Sequence, residues 1–345
     1  MPTVNTNYPP HHYVQVGDIH HPDAVKTRIV HVSDTHLKHF DMLADHMIPD
    51  GDILVHTGDF NTLHRNQIKD PEKDFNNLVA ELNNFFGRLP HKHKIFVPGN
   101  HDTNLEDKSW QMVQNHLPSC IYLQDKSVVI DGLKFYGSGW TLVRECSSAR
   151  AFAVEPEEIV KHWDDIPGDI DILVTHSPPH AILDCAHCRK QGCIEDCEPT
   201  AECGHGHIGC PSLKDTVLNI LRPRAHLFGH NHGGNGTVMH NGVLFSNASM
   251  SYIPVPTVID YYRTPGDSDV RYSDASHSDI SYSDIPYSDA SHSGICYSDI
   301  SYSDASDSDI SYSDISYSDA SDSGISYGDT SDSDTEMAEE HLTYS

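Results

Sequence analysis

Five short polar clusters, each at the end of an apolar run, constrain the fold of this 345-residue chain more than any other feature. The runs are rich in Val, Ile, Leu and Phe, which is typical of buried strands that pass their next residues to a loop. The clusters are Asp34-Thr35-His36, Gly58-Asp59, Gly99-Asn100-His101-Asp102, Thr175-His176 and Gly229-His230-Asn231-His232. This placement predicts that scattered His and Asp side chains meet in one site.

The segments between these clusters predict an α/β fold. A helix is predicted over residues 71–87, where apolar side chains recur at helical spacing after Pro71, a residue that suits the first turn of a helix. Alternation of strand, helix and strand indicates a largely parallel sheet. Asp131-Gly132, between two further apolar runs, predicts a hairpin turn. Two sheets packed face to face, with helices outside, accommodate this order.

Composition divides the chain into three parts. Residues 1–27 are polar and rich in His and Pro, and we expect a flexible arm there. Residues 28–262 have the apolar content of a globular domain. From residue 264 onward an acidic repeat has one Arg against 19 Asp and Glu, within a whole-chain net charge of −29. This balance argues against nucleic-acid binding, because phosphate backbones favour basic surfaces.

The tail of residues 264–345 is a low-complexity repeat of Ser, Asp and Tyr. Its unit Tyr-Ser-Asp-Ala-Ser recurs every 15 residues, at Tyr272, Tyr287, Tyr302 and Tyr317. Low apolar content and like charge favour disorder, with Ser and Tyr side chains available to kinases and to protein partners. A square β-helix of the pentapeptide-repeat kind is the alternative. Ala at many central positions and a superperiod of three units disfavour it.

Hydropathy and cysteine usage predict the cellular compartment and the state of the thiols. The sequence lacks the run of ~20 apolar residues that a membrane helix needs and the pattern of a signal peptide, so a soluble cytoplasmic protein is expected. Six of the nine cysteines lie between Cys185 and Cys210. Cytoplasmic thiols stay reduced or bind metal, so this Cys/His-rich insert could hold a structural zinc. Reduced cysteines without a metal, or disulfides, are the alternatives.

The residue types in the five clusters are metal ligands. Carboxylate, amide and imidazole groups suit Mn, Fe or Zn, and the sequence does not choose among these ions. Asp34 and His36 can face one ion from a single turn, while Asp59 can reach across from the neighbouring strand as a bridge. Two ions ~3.5–4 Å apart can clamp the attacking and leaving oxygens of a phosphoryl displacement. One Asp or His alone would usually be a capping residue, so the prediction depends on all five clusters together.

The ordered pattern Asp-x-His, Gly-Asp, Gly-Asn-His-Asp, His and Gly-His-x-His resembles the calcineurin-like metallophosphoesterase superfamily over residues 28–262. Residues 51–60, 175–179, 227–232 and 245–249 are similar to its small metallophosphoesterase-domain-containing branch. The resemblance implies a four-layer αββα sandwich of two mixed sheets flanked by helices.

The same resemblance implies a centre of two divalent ions. One ion would be held by Asp34, His36, Asp59 and His232, and the other by Asp59, Asn100, His176 and His230. A hydroxide bridging the ions would attack phosphorus in line. His101 would then act as general acid near the leaving oxygen, with Asp102 orienting its ring.

Together these features predict a metal-dependent phosphoesterase that acts on a small phosphodiester. By resemblance, a cyclic nucleotide is the favoured substrate class. The alternative is a weakly active nucleotide-binding or scaffold protein with a vestigial metal site, as in branch members that have lost a ligand of the last cluster. His232 is intact in this chain, which favours the enzyme.

Overall fold

The computed structural model describes residues 11–62, 67–144, 151–185 and 206–264, and every structural statement below concerns these ranges. The predictions for residues 1–10, for the middle of the insert at 186–205 and for the tail beyond residue 264 lie outside them. The described residues form 14 strands, five α-helices and one π-helical turn.

Strands and helices alternate in the first part of the chain, as the sequence predicts, and runs of consecutive strands follow later. The strands are β1 (His12–Gly17), β2 (Val25–Val32), β3 (Ile53–His56), β4 (His93–Phe96), β5 (Ile121–Tyr122), β6 (Lys126–Ile130), β7 (Leu133–Ser138), β8 (Thr141–Leu142), β9 (Ala153–Val154), β10 (Ile172–Thr175), β11 (Ala225–Phe228), β12 (Gly236–His240), β13 (Val243–Asn247) and β14 (Thr257–Arg263). The helices are α1 (His39–Ala44), α2 (Pro71–Gly87), α3 (Trp110–Asn115), α4 (Pro156–Asp164) and α5 (Pro211–Asp215), and α5 continues into the π-helical turn Thr216–Leu221.

The strands build two six-stranded mixed sheets. Sheet 1 has the order β1-β14-β2-β3-β4-β5, and sheet 2 has the order β12-β13-β11-β10-β7-β6. Strands β2 to β5 run parallel to one another, as do β7, β10, β11 and β13. Antiparallel pairing occurs between β14 and β2, between β12 and β13, and between β6 and β7. Strands β8 and β9 pair separately.

Alternate side chains of the sheets belong to different apolar layers, as the pleat of a strand requires. Ile29 of β2 and Ile53 of β3 pack in the cluster shared with Phe135, Ile172 and other residues of sheet 2. Their neighbours in sequence pack with α2 on the outer side of sheet 1. Helices α4 and α5 cover the outer side of sheet 2 in a third cluster. The predicted four-layer αββα sandwich of two mixed sheets is confirmed.

Helix α2 shows why the sequence forms this layer. Its first residue is Pro71, and the side chain of Asp70 caps it by accepting a hydrogen bond from the backbone N–H of Lys73 at 3.2 Å. The buried side chains of α2 recur at helical spacing: Phe75, Leu78, Val79, Leu82, Phe85 and Phe86. The helix therefore spans residues 71–87, as predicted. None of the helices in the described ranges is long and apolar enough to cross a membrane.

The prediction of a flexible arm over residues 1–27 is wrong for residues 12–17 and 25–27, which lie in β1 and β2. Strand β1 extends sheet 1 by pairing in parallel with β14. The Tyr13 hydroxyl donates to Asp260 at 2.8 Å, and the guanidinium of Arg28 donates to the same carboxylate at 2.7 and 2.9 Å. This carboxylate therefore ties three neighbouring strands together.

The hairpin predicted at Asp131-Gly132 connects β6 to β7, which pair antiparallel. Both turn residues have positive φ, 48° for Asp131 and 78° for Gly132, as a two-residue hairpin turn of the primed kind requires.

Candidate metal centre

The carboxyl ends of five parallel strands supply the side chains of the site. Strands β2, β3 and β4 of sheet 1 and strands β10 and β11 of sheet 2 each end just before one of the five polar clusters. Parallel strands of one sheet end at the same edge, so the two facing sheets bring their clusters to one place. We call the seven predicted ligands that meet there the ligand cluster: Asp34, His36, Asp59, Asn100, His176, His230 and His232.

Donor atoms of the ligand cluster form two groups that share Asp59. One group contains Asp34, His36, Asp59 and His232, and the other contains Asp59, His176 and His230. Within each group the donor atoms lie within 4.8 Å of one another. The amide oxygen of Asn100 joins the second group, 3.0 Å from Nε2 of His176. These are the two groupings that the resemblance implies, with Asp59 at the position of a bridge.

Distances between the donor atoms test whether the groups fit divalent ions. The Nε2 atoms of His36 and His232 lie 3.0 Å apart. Nε2 of His232 lies 3.2 Å from Oδ1 of Asp34, and Nε2 of His176 lies 3.3 Å from Oδ2 of Asp59. Ligands ~2.1 Å from one ion, at angles between a right angle and the tetrahedral angle, are ~3.0–3.4 Å apart. The donor set therefore fits an ion in each group.

Two imidazoles of the cluster are oriented by backbone carbonyls. Nδ1 of His36 donates to the carbonyl oxygen of Asn61 at 3.0 Å, and Nδ1 of His176 donates to that of Thr57 at 2.7 Å. A ring that donates from Nδ1 can present the lone pair of Nε2 to a metal, so these contacts fix the ligating nitrogen. The two rings are thus held in place by the backbone.

Charge within the cluster couples protons to ion binding. Burial would raise the pKa of Asp59, but His176, His101 and His36 together hold it well below its usual value. Burial would lower the pKa of His176, but the carboxylates of Asp59 and Asp34 raise it to about 9. A ligating imidazole is neutral, so an ion at Nε2 of His176 displaces a proton.

Four members of the ligand cluster have a left-handed backbone. The φ angles are 52° for Asp34, 43° for His36, 55° for Asp59 and 65° for His230. Asp and His are among the non-glycine residues that tolerate this region best, and such strain concentrates at functional sites. The backbone N–H of His230 donates to both oxygens of Asp34, at 3.2 and 3.0 Å, and so links the loops of the two sheets.

The glycines before the ligands are needed mainly for close approach. These glycines are Gly58, Gly99 and Gly229, and among them only Gly58 has a positive φ, 95°. A Cβ atom on Gly99 would collide with Oδ1 of Asp59, and one on Gly229 would collide with Oδ2 of Asp34. Carboxylates therefore pack directly on two of these glycines, where any larger residue would displace them.

Asp102 has a different role from the one predicted. Instead of orienting the ring of His101, its Oδ2 accepts the backbone N–H groups of Gly99 at 2.8 Å and Asp59 at 3.0 Å, and its Oδ1 accepts that of Asn61 at 3.0 Å. Burial and the nearby Asp59 raise the pKa of Asp102 to about 7, against the opposing effect of the N–H bonds. Asp102 thus positions the backbone that carries Asp59.

His101 lies beside the cluster and lines the cavity above it. Its backbone N–H donates to Oδ1 of Asp59 at 2.8 Å. Its ring packs edge-on against that of His36, with centroids 4.9 Å apart, and its Nδ1 lies 3.4 Å from the carbonyl oxygen of Thr62. The side chain is therefore within reach of a molecule bound in the cavity.

The cavity has a volume of about 210 Å³, which suits a small ligand. Members of the ligand cluster, His101, Asn231 and Gly233 line it together with three residues that we call the mouth: Arg144, Ile208 and Tyr252. The sequence did not identify the mouth residues, because none of them follows a strand in a polar cluster. Tyr252 lies in the segment between β13 and β14, with 71% of its surface exposed.

The sequence also did not predict a layer of buried imidazoles in strands β2, β3 and β11. His31 of β2 contacts the hydroxyls of Ser246 and Thr57, while Thr35 and Thr175 contact His56 of β3 and His226 of β11. Burial lowers the pKa of each of these three rings to about 3, so they are neutral at neutral pH. They are packed as polar core residues, and none of them belongs to either donor group of the ligand cluster.

The Cys/His-rich insert is described only at its ends. Within those ends Cys210 belongs to the core, where its sulfur accepts a hydrogen bond from the indole of Trp163 at 3.4 Å. His207 pairs with the buried Asp184 at 2.6 Å. The prediction of a structural zinc in residues 185–210 depends mainly on cysteines that lie outside the described ranges.

Comparisons with known proteins agree with this geometry. The sequence profile of the calcineurin-like phosphoesterase family matches residues 27–234. Metallophosphoesterase domain-containing protein 1 of Homo sapiens is 32% identical over 284 residues, covering 73% of this chain and 77% of that protein. UPF0046 protein C25E10.12 of Caenorhabditis elegans is 32% identical over 243 residues, covering 65% and 75%.

Among solved structures, a dimetal phosphatase from Danio rerio is 11% identical, covers 64% of this chain and 86% of its own, and superposes with a TM-score of 0.36. The family predicted from the five clusters is confirmed by the profile and by the relatives at 32% identity. The chain belongs to the calcineurin-like phosphoesterase family and is a metal-dependent phosphoesterase.

Proposed function

We propose that the chain hydrolyses a small phosphodiester, and that a cyclic nucleotide is the favoured class of substrate. The observation that carries the proposal is the ligand cluster, whose seven donors are all present and form two groups sharing Asp59. The diester and cyclic-nucleotide preferences follow from the resemblance to the small metallophosphoesterase-domain-containing branch. Complete ligand groups argue against the alternative of a scaffold with a vestigial site.

Each group of the ligand cluster would hold one divalent ion, Mn, Fe or Zn. When bound, the two ions would activate water and neutralise charge on the phosphoryl group. Asp59 would bridge them, while the carbonyls of Asn61 and Thr57 keep His36 and His176 in the ligating orientation. Asp102 would keep the bridging carboxylate in place through the backbone of Asp59.

Arg144 would add a fixed positive charge to the cavity. Its side chain lines the cavity beside His230, and it has no ion pair or hydrogen bond with any described residue. A guanidinium is a strong donor to phosphoryl oxygens, and charge stabilisation of this kind favours the transition state of phosphoryl transfer. We therefore assign Arg144 to a non-bridging oxygen of the substrate.

His101 would be the proton donor to the leaving oxygen. The proposal is supported by its position at the cavity, held through its backbone by Asp59 and through its ring by His36. A general acid must lie within hydrogen-bond reach of the oxygen that it protonates. Replacing His101 by Gln should lower kcat most for substrates with poor leaving groups, since a good leaving group needs no proton.

The decisive experiment measures hydrolysis of bis-p-nitrophenyl phosphate by the full chain with Mn²⁺, alongside an Asp59→Asn variant. We expect the variant to lose at least about a thousandfold in kcat/KM, because the bridging carboxylate is removed. Asp107→Asn, at an exposed position, is the matched control and should keep the wild-type rate. Equal rates for Asp59→Asn and wild type would contradict the proposal.

Substrate class is tested separately. Bis-p-nitrophenyl phosphate and p-nitrophenyl phosphate, which share a leaving group, compare a diester with a monoester under the same conditions, and hydrolysis of adenosine 3′,5′-cyclic monophosphate then tests the cyclic class. A higher kcat/KM for the monoester would contradict the diester preference without affecting the metal-dependent chemistry. Binding of partners by the acidic tail, zinc in the insert and a cytoplasmic location stay predictions from the sequence.

A further inference from the structure

Tyr252 is a large aromatic residue exposed at the mouth of a cavity whose other walls are mostly polar. Its ring meets that of His232 edge-on, with centroids 5.3 Å apart, and 71% of its surface is accessible. Exposed aromatic surface next to a binding cavity is covered when a ligand with a planar apolar part binds. Tyr252 is therefore placed to contact the part of a ligand that extends from the ions.

The segment that carries Tyr252 is held firmly although its ring is exposed. The side-chain amide of Asn235, which is 4% exposed, donates to the carbonyl oxygens of Ser249, Ile253 and Val255 at 2.8, 3.3 and 3.0 Å. Oδ1 of Asn235 in turn contacts Nε2 of His12 in β1 at 2.8 Å. The backbone on both sides of Tyr252 is thus fixed, so binding does not need to order the segment.

The chemistry of the cavity fits a ligand with two distinct parts. Arg144 and the ions that the ligand cluster would hold suit an anionic group, while the Tyr252 ring provides a face for a planar group. Stacking on an aromatic side chain is tolerant of the identity of the ring, since any planar π system has a face to offer. The two contacts act on different parts of one molecule.

This inference rests on the proposed phosphodiesterase function and concerns its specificity. We propose that Tyr252 is a specificity-determining residue whose ring stacks on a planar aromatic or heteroaromatic group of the substrate. Asn235 positions Tyr252 by fixing the loop on either side of it. The substrates of the site are then phosphoesters with a flat ring near the phosphorus, in preference to esters of saturated alcohols of equal size.

The test measures binding of phenylphosphonate and cyclohexylphosphonate to the Mn²⁺-loaded full chain by isothermal titration calorimetry. The two probes are phosphonates of nearly the same size, both dianions at pH 9, where the titration is run, and neither carries an ester to hydrolyse. We expect the wild type to bind phenylphosphonate about tenfold more tightly than cyclohexylphosphonate. Tyr252→Leu should remove this ratio, while Tyr252→Phe, which keeps the ring, should retain it.

An equal ratio for wild type and Tyr252→Leu would overturn the proposal, and so would a wild type that binds phenylphosphonate no more tightly than its saturated counterpart or not at all. Because Tyr252 is mostly exposed, thermal melting of Tyr252→Leu should match that of the wild type, which checks the fold of the variant. The binding ratio does not need turnover. A chain that shows the ratio without hydrolysing any diester would overturn the proposed function and leave the role of Tyr252 intact.

Discussion

The ligand cluster and the mouth of the cavity are built in opposite ways. Asp34 and His176 are fully buried, and their neighbours fix them through backbone N–H and carbonyl groups. Arg144 and Tyr252 reach the same cavity from loops, and no hydrogen bond to a described residue holds either side chain. Backbone geometry therefore fixes the ligand cluster, and we expect the choice of substrate to depend on mouth side chains that can change without disturbing the sheets.

The largest effect is expected for the Asp102→Asn variant, which tests whether the backbone around the ligand cluster determines activity. An amide keeps one acceptor oxygen but cannot accept at its nitrogen, so at least one of the three backbone N–H groups loses its partner. An unsatisfied buried N–H costs about 1–3 kcal/mol, and here we also expect it to displace the carboxylate of Asp59. We expect kcat/KM for bis-p-nitrophenyl phosphate to fall about a thousandfold and the melting temperature to drop.

The matched control is again Asp107→Asn, whose carboxylate is exposed. A variant at position 102 with wild-type activity and stability would show that the backbone of the cluster does not depend on this carboxylate.

The Gly229→Ala variant tests the close contact between Gly229, which follows a strand of sheet 2, and Asp34, which follows a strand of sheet 1. The added Cβ would collide with Ser33 and with Oδ2 of Asp34, so the loop carrying His230 must move. A displacement of even ~1 Å in a catalytic site can cost about a hundredfold in rate, and we expect a loss of that size in kcat/KM with weaker Mn²⁺ binding. Gly168→Ala, where an added Cβ meets no atom within 4 Å, should leave both unchanged.

Arg144→Gln addresses the mouth and should have a smaller effect. One charge-assisted contact to a phosphoryl oxygen is lost, but the metal ligands stay in place. We expect kcat/KM to fall about tenfold with no change in Mn²⁺ affinity, measured by steady-state kinetics and calorimetry. Arg144→Lys, which keeps the charge, should recover part of the loss. A matching fall in Mn²⁺ affinity would mean that the mouth and the ligand cluster are not independent.

Three buried histidines should make the fold sensitive to acid. Their effect on the free energy of unfolding should be absent at neutral pH and should grow as the pH falls. Burial lowers the pKa of His31, His56 and His226 from 6.5 to about 3, so the unfolded chain takes up protons that the folded chain excludes. The contribution of the three neutral rings to the free energy of unfolding is fully present above pH 6.5 and is lost as the pH falls toward 3. Each ring costs about 1.4 kcal/mol per pH unit within this window.

The measurement is the urea midpoint between pH 7 and pH 4, in EDTA so that loss of metal does not contribute. His226→Gln should flatten this pH dependence, whereas His20→Gln, at an exposed position, should not. An unchanged slope for the first variant would contradict a neutral buried ring at position 226.

The sequence was sufficient to predict the ligand cluster and the sandwich because both depend on local patterns. Asp34, Asp59 and His230 each follow a continuous apolar strand, and strands of this kind end at a common edge. The helix over residues 71–87 was equally visible from its apolar spacing and from Pro71. These features need no knowledge of what packs against them.

What the sequence did not reveal depends on contacts between distant segments. The N-terminal strand was missed because its partner β14 is distant in the chain: His12 pairs with Thr257. The role of Asp102 was misassigned because its partners are backbone N–H groups of two separate loops, which no pattern of side chains marks. Tyr252 was missed because a single aromatic residue in a connecting segment has no periodicity.

The position of β14 bears on when the enzyme can form during synthesis. All seven members of the ligand cluster precede residue 233, yet sheet 1 stays open until Thr257–Arg263 inserts between β1 and β2. Pairings this far apart in sequence form slowly, because a long loop must close first. A nascent chain that ends before β14 thus carries every ligand but leaves the pairing edges of β1 and β2 open, and we expect the ions to be captured only after this strand has emerged from the ribosome.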